Sequence, residues 1–251
     1  MENKKSKLDP AKQQSVDSIL EHLPPEVEEI VDLPSKGRFY NTTEPVIVKP
    51  MTFDDEKALI SSTKGKTDPM SLLLSRCVKN VNPHELLMMD KVYIFMKIRQ
   101  LSYGTDYEVR ITCPKCEEAG EVKIDLTTLP VNDIPDDFED PREFELPVLK
   151  KKVKVRFPRG RDEKYLKNPE VAASQFWRFV EEIDGVTDKG VIAEVMKQLQ
   201  SKNALADIHK IISEVTRADF GVDAKFIYLC SECDEETLME VPIGEDFFTM
   251  K

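Results

Sequence analysis

Tyr107-Glu-Val-Arg-Ile-Thr-Cys113-Pro-Lys-Cys116 alternates apolar and polar side chains at the period of a β-strand and runs directly into a Cys-x-x-Cys turn. The chain repeats the device near its end, in Phe226-Ile-Tyr-Leu-Cys230-Ser-Glu-Cys233. A second alternating run follows each knuckle, Glu121-Val-Lys-Ile-Asp-Leu126 and Thr237-Leu-Met-Glu-Val-Pro-Ile243, which predicts two β-hairpins. Each Cys-x-x-Cys aims two soft thiolates at one point, so Cys113, Cys116, Cys230 and Cys233 offer the four tetrahedral ligands of a structural Zn2+ site. One such pair is also the spacing of a redox dithiol; two in matching strand context favour the metal. The competing readings are a pair of disulfides, or four small buried thiols without a metal. A disulfide framework expects a secreted chain, and Met1-Glu-Asn-Lys-Lys-Ser-Lys is polar throughout, with no apolar signal segment.

Residues 117–229, 113 of them, separate the two knuckles, whereas an ordinary zinc ribbon needs only a short connection. A whole subdomain is therefore expected between them, with the metal tying its ends. The fold class is α+β: an N-terminal helical region, then split zinc-ribbon-like hairpins with a mostly helical insert. The expected parts are a tail and docking helix over 1–32, an N-terminal α+β region over 33–105, the split ribbon over 106–128 and 224–246, and an insert with a β-hairpin and helices over 129–223.

At 251 residues the chain can bury a substantial core. No apolar run approaches a bilayer span, which predicts a soluble chain. A net charge of −11 argues against a general nucleic-acid binder, whose affinity rests on neutralising phosphates. Five cysteines, four of them in knuckles, fit a reducing cytoplasm; Cys77, in the apolar helical run around Leu72–Val78, reads as a small buried hydrophobe.

In chain order, residues 1–8 carry three lysines and read as a tail that orders on a partner. Asp9-Pro10 starts a short helix with Val16, Ile19, Leu20 and Leu23 on one face, expected to dock on this chain or a neighbour. Leu33-Pro-Ser-Lys-Gly-Arg-Phe-Tyr40 is turn-rich, and Val46–Val48 is a strand closed by Pro50. Thr52 with Asp55, Asp68-Pro69 and Asn82-Pro83 cap three helices, the last predicted over 84–100 with Gly104 as its left-handed stop. Residues 129–141 read as an acidic loop, and Phe144–Val148 with Val153–Phe157 as a hairpin around a lysine turn. Three helices are expected between Asp162 and Arg217: one bearing Phe176, Trp177 and Val180, one through Val191, Val195 and Leu199, and one with Leu205, Ile208, Ile211 and Ile212.

Several signals have bland explanations. Lys64-Gly-Lys-Thr67 lacks the earlier glycine of a phosphate loop, since Ile60 stands there, and it follows a helix. Lys150, Lys151, Lys152, Lys154, Arg156, Arg159 and Arg161 read as a solvated face or a contact with an acidic neighbouring subunit. His22, His84 and His209 follow no ligand spacing, and the carboxylates of 133–140 lack the pattern of a calcium loop. Phe176, Trp177 and Phe179 favour packing on the adjacent hairpin over a partner contact. No nucleophile, base and oxyanion donor are assembled, so no enzyme is expected.

The order Leu33–Tyr40, Val48-Lys-Pro-Met-Thr-Phe-Asp-Asp-Glu56, Ile98-Arg99 with Ser102-Tyr-Gly104, then Cys113-Pro-Lys-Cys116 resembles the baseplate hub protein family of T-even-type contractile-tailed bacteriophages. The likeness covers roughly residues 30–130, with the second knuckle in support. It implies a non-enzymatic structural or assembly component of the hub, in the virion tail baseplate and, during assembly, in the host cytoplasm. Its implied partners are other hub, spike or wedge proteins in a hetero-oligomer, with neither nucleic acid nor a membrane span. Residues 160–220 carry no motif of that family. The alternative is a cytoplasmic zinc-ribbon adaptor that recruits proteins or nucleic acid. A zinc enzyme needs an open coordination position, which four cysteines do not leave.

Overall fold

The computed structural model describes residues 9–22, 27–42, 44–62, 68–166, 174–217 and 219–249. Helix α1 (Pro10–Leu20) is capped by Asp9, whose carboxylate accepts from Lys12 N, and it buries no residue. Strands β1 (Glu29–Val31), β2 (Val46–Val48) and β3 (Val78–Lys79) form a small antiparallel sheet. Helix α2 (Phe53–Ser62) starts on the expected reciprocal cap: Thr52 N donates to Asp55 Oδ2 at 2.9 Å, and Asp55 N donates to Thr52 Oγ1 at 3.3 Å. Asp68 caps α3 (Pro69–Cys77), which buries Met70, Leu73, Leu74 and Cys77.

Helix α4 (Met88–Tyr103) is the axle of the main core and buries Ile94, Phe95 and Ile98. It begins four residues later than the sequence predicts. Leu87 is instead bridged to Arg159, while Gly160 N donates to Leu86 O and Arg161 N to His84 O, so long-range pairing takes the groups a first turn would use. Gly104 ends the helix as expected, at φ 86, with its N–H on Gln100 O.

The first ribbon hairpin is β4 (Asp106–Thr112) with β5 (Ala119–Asp125). The chain then leaves the core through β6 (Val131–Asn132), makes β7 (Arg142–Glu145) and β8 (Lys152–Val155), and turns through α5 (Glu163–Leu166). A 3-10 turn over Phe176–Phe179 and a third strand, β9 (Val180–Ile183), occupy the place where a helix was predicted. Val180 and Ile183 are buried, and β9 pairs with β8. Asp184 and Gly185, at φ 50 and 84, close a two-residue turn bonded both ways between Ile183 and Val186.

Helices α6 (Lys189–Ser201) and α7 (Leu205–Thr216) cover this sheet, giving the insert its own core of Leu146, Val153, Phe179, Ile192, Met196 and Ile211. The face of α6 differs from expectation: Ile192 and Met196 join Leu199 inside, while Val191 is half exposed. Phe176 and Phe179 are buried and Trp177 packs on the same cluster, as the aromatic reading expected.

Strand β10 (Gly221–Val222) returns the chain by pairing with β6, so the insert's entry and exit are stapled together. A third cluster of Leu87, Ile134, Phe138, Phe157 and Phe220 joins the insert to the main core. The second ribbon hairpin, β11 (Lys225–Leu229) with β12 (Glu236–Glu240), then lies against the first. Residues 245–248 close the chain over α4, where Phe248 meets Phe95 and Phe247 meets Tyr107 edge to face.

Candidate metal centre

Strands β4 and β11 deliver the two knuckles with the same backbone pattern. Glu117 N donates to Cys113 O at 2.9 Å and Cys113 N to Glu118 O at 2.8 Å; Asp234 N donates to Cys230 O at 3.0 Å and Cys230 N to Glu235 O at 3.0 Å. The residue after each second cysteine takes a positive φ, 61° at Glu117 and 55° at Asp234. This reversal folds each Cys-x-x-Cys back on itself, so both thiols of a knuckle face the other hairpin.

The four Sγ atoms lie within 4.8 Å of one another. Across the hairpins, Cys113 and Cys233 are 3.8 Å apart and Cys116 and Cys230 are 3.6 Å apart. A zinc–sulfur bond of about 2.3 Å gives a tetrahedron with edges of about 3.8 Å. A disulfide needs about 2.05 Å, and all five cysteines are free thiols. The spacing therefore fits a four-thiolate metal site, with Cys113 and Cys230 buried, Cys233 intermediate and Cys116 exposed.

The thiols do not share charge evenly. The Glu232 N–H holds Cys230 down to about 6, helped against desolvation by the Cys233 N–H. Cys233 receives the Glu235 N–H, yet desolvation and the competing thiols push it up to about 12. Thiolates this close repel one another, so a shared cation would be needed for all four to ionise together.

Contacts between the hairpins hold the site closed. Lys115 pairs with Glu235 across the two knuckles. The Tyr228 ring lies over β5, where a Cβ on Gly120 would stand 2.5 Å from its hydroxyl oxygen. Tyr107, inside the first hairpin, faces Arg99, whose guanidinium is 5.6 Å from the Tyr107 ring and 4.6 Å from that of Tyr103. Arg99 is buried, with no hydrogen-bond partner on Nε or Nη1.

The remaining candidates fall away from the centre. Cys77 is buried and pushed up to about 12 by that burial, as befits an inert thiol. Lys64–Thr67 lies outside the described residues. The basic cluster keeps a solvated face at Lys150, Lys151, Lys152 and Arg161, and most of its charges are paired within the chain: Lys151 with Asp184, Lys152 with Glu143, Lys154 with Glu182, Arg156 with Asp162, Arg159 with Asp140 and Arg161 with Glu85.

Sequence reasoning missed a buried polar node under Leu33–Tyr40. Ser35 N and the Tyr40 hydroxyl both donate to Asp90, and Leu87 N donates to the Tyr40 oxygen at 2.9 Å. Burial pushes both the Asp90 carboxyl and the Tyr40 hydroxyl up. Lys36 and Gly37, at φ 55 and 68, make the turn that brings Ser35 and Tyr40 to this one carboxylate. Ser35 and Tyr40 lie 55 and 50 residues from Asp90 in sequence, so the node leaves no local signature. Among the described residues, no helix is long and apolar enough to cross a membrane.

No curated protein and no solved structure matches the chain. A family model described as T4 bacteriophage base plate protein matches residues 25–249, taking in the insert that carried no motif as well as both knuckles. That match spans nearly the whole chain, from β1 to the closing turn, and the chain therefore belongs to the T4 bacteriophage base plate protein family.

Proposed function

We propose that the chain is a structural or assembly component of the contractile-tail baseplate hub, acting by protein–protein binding and performing no catalysis. Cys113, Cys116, Cys230 and Cys233 hold one Zn2+ as thiolates, and the metal's role is to supply the positive charge that lets four thiolates converge. Four sulfur ligands fill the coordination sphere, which leaves no position for a reactive water.

The observation that carries the metal reading is the convergence of four sulfurs within 4.8 Å on knuckles with 113 residues between them, and the hub reading rests on the family match over residues 25–249. Closing a loop of that length removes on the order of 5 kcal/mol of entropy from the unfolded chain. The β6–β10 staple, the Phe138 cluster and the metal would then fix both roots of a unit spanning 129–223 relative to the ribbon. Partner proteins of the hub, spike or wedge would meet that unit and the ribbon's outer faces.

Mass spectrometry of tail intermediates and mature particles tests the role, alongside a zinc assay of the purified chain. Fixed stoichiometry in mature tails identifies a structural component, and presence only in intermediates identifies an assembly factor. Absence from both overturns the hub assignment.

A further inference from the structure

The outer face of the second ribbon hairpin is apolar where an exposed antiparallel face is ordinarily polar. Ile227 and Leu238 are direct cross-strand partners, and with Leu229 they are 68, 65 and 59 % exposed. Glu236 and Glu240 flank Leu238 on that face, and segment 230–240 holds five acids and no base. Past Lys225 and Glu240 the face opens into a cleft of about 470 Å³ lined by Val222, Ala224 and Ile243.

The complement of this surface lies in the same chain. Helix α1 buries none of its residues, leaves Ile19 78 % exposed, and carries Val16, Ile19 and Leu20 as one i, i+3, i+4 stripe. An 11-residue helix is marginal in water until such a stripe is covered. The first twelve residues carry four lysines against two acids, in a chain whose net charge is −11. The stripe runs about 6 Å along the helix, and Ile227 to Leu229 about 7 Å along the strand, so the two match in length.

We propose that residues 1–20 of one copy dock on the β11–β12 outer face of a second copy. The aliphatic stripe covers Ile227, Leu229 and Leu238, and the lysines meet the acidic rim. A chain that bears both a surface and its complement associates head to tail or by reciprocal exchange. The inference needs a folded ribbon but not the hub assignment, so either can fail alone.

Sedimentation velocity of the full-length chain, zinc-loaded and reduced, tests it over a concentration series to about 100 μM. Wild type is expected to self-associate, at least about tenfold more weakly in 0.5 M salt than in 0.05 M. Ile19→Asp and Ile227→Asp, both at exposed positions, are each expected to be monomeric with unchanged circular dichroism. An equimolar mixture of the two retains one intact helix–face pair and is expected to form a 1:1 dimer. Leu229→Glu serves as a second face variant if Ile227→Asp fails to fold. A monomeric wild type, association indifferent to both substitutions, or a mixture that stays monomeric would each overturn the proposal.

Discussion

The two hairpins of the ribbon share a backbone plan and differ in what they show to the outside. Both knuckles make the same pair of backbone hydrogen bonds, both place an acidic residue at positive φ after the second cysteine, and both bury the first cysteine. On β4–β5 the outward positions include Glu108, Arg110, Glu121 and Lys123, whereas on β11–β12 they include Ile227, Leu229 and Leu238. The convergence of the four thiols is thus set by backbone bonds and the cysteine spacing, which place no demand on the outward side chains. Those side chains are free to answer to water on one hairpin and to a neighbour on the other.

If the hairpins are equivalent at the metal, ligand substitutions should pair by position in the knuckle. Cys113→Ser and Cys230→Ser, both buried, are expected to abolish stoichiometric zinc and cost at least about 3 kcal/mol in urea denaturation, with Cys116→Ser and Cys233→Ser milder. Losses that pair by hairpin would break the comparison. Trp177, the single tryptophan, packs in the insert, so its fluorescence should hold while the ribbon unravels.

The packing of one hairpin on the other is tested by Gly120→Ala, which drives a methyl group against Tyr228 and should cost about 2 kcal/mol. Removing the hydroxyl as well, in Gly120→Ala with Tyr228→Phe, should recover more than half of that loss by thermal denaturation. Arg99 borders the first hairpin through Tyr107 and brings a buried cation whose Nε and Nη1 have no hydrogen-bond partner among the described residues. Arg99→Met is expected to leave stability unchanged or raise it by about 1 kcal/mol; a clear loss would mean that the ring contacts outweigh desolvation. The smallest effect belongs to the positive-φ positions. Glu117→Gly should gain roughly 0.5 kcal/mol and Asp234→Gly less, because Asp tolerates the left-handed region better than Glu.

What the sequence made legible was local. The hairpins, the Cys-x-x-Cys turns, the Thr52–Asp55 and Asp68 caps and the Gly104 stop each rest on residues a few positions apart. What it hid was set by distant partners. Helix α4 starts late because Leu87 pairs with Arg159, and the β6–β10 staple joins two-residue strands too short to show a period. The basic run around 150–161 is a solvated face, as read, but its ion pairs were hidden because several of its acids lie elsewhere, at Glu85, Asp140 and Glu182. Strand β9 is a different case: Phe176, Trp177 and Val180 fit a helical spacing, but Asp184-Gly185, a local hairpin-turn signal, marks the strand end that the structure shows.

X-ray absorption at the zinc edge, on the purified chain with its metal content counted, tests the central claim most directly. The account predicts one zinc per chain with four sulfur neighbours at about 2.3 Å and no light ligand. Nitrogen or oxygen in the first coordination shell, or a metal-free chain whose four cysteines are oxidised in pairs, would contradict it.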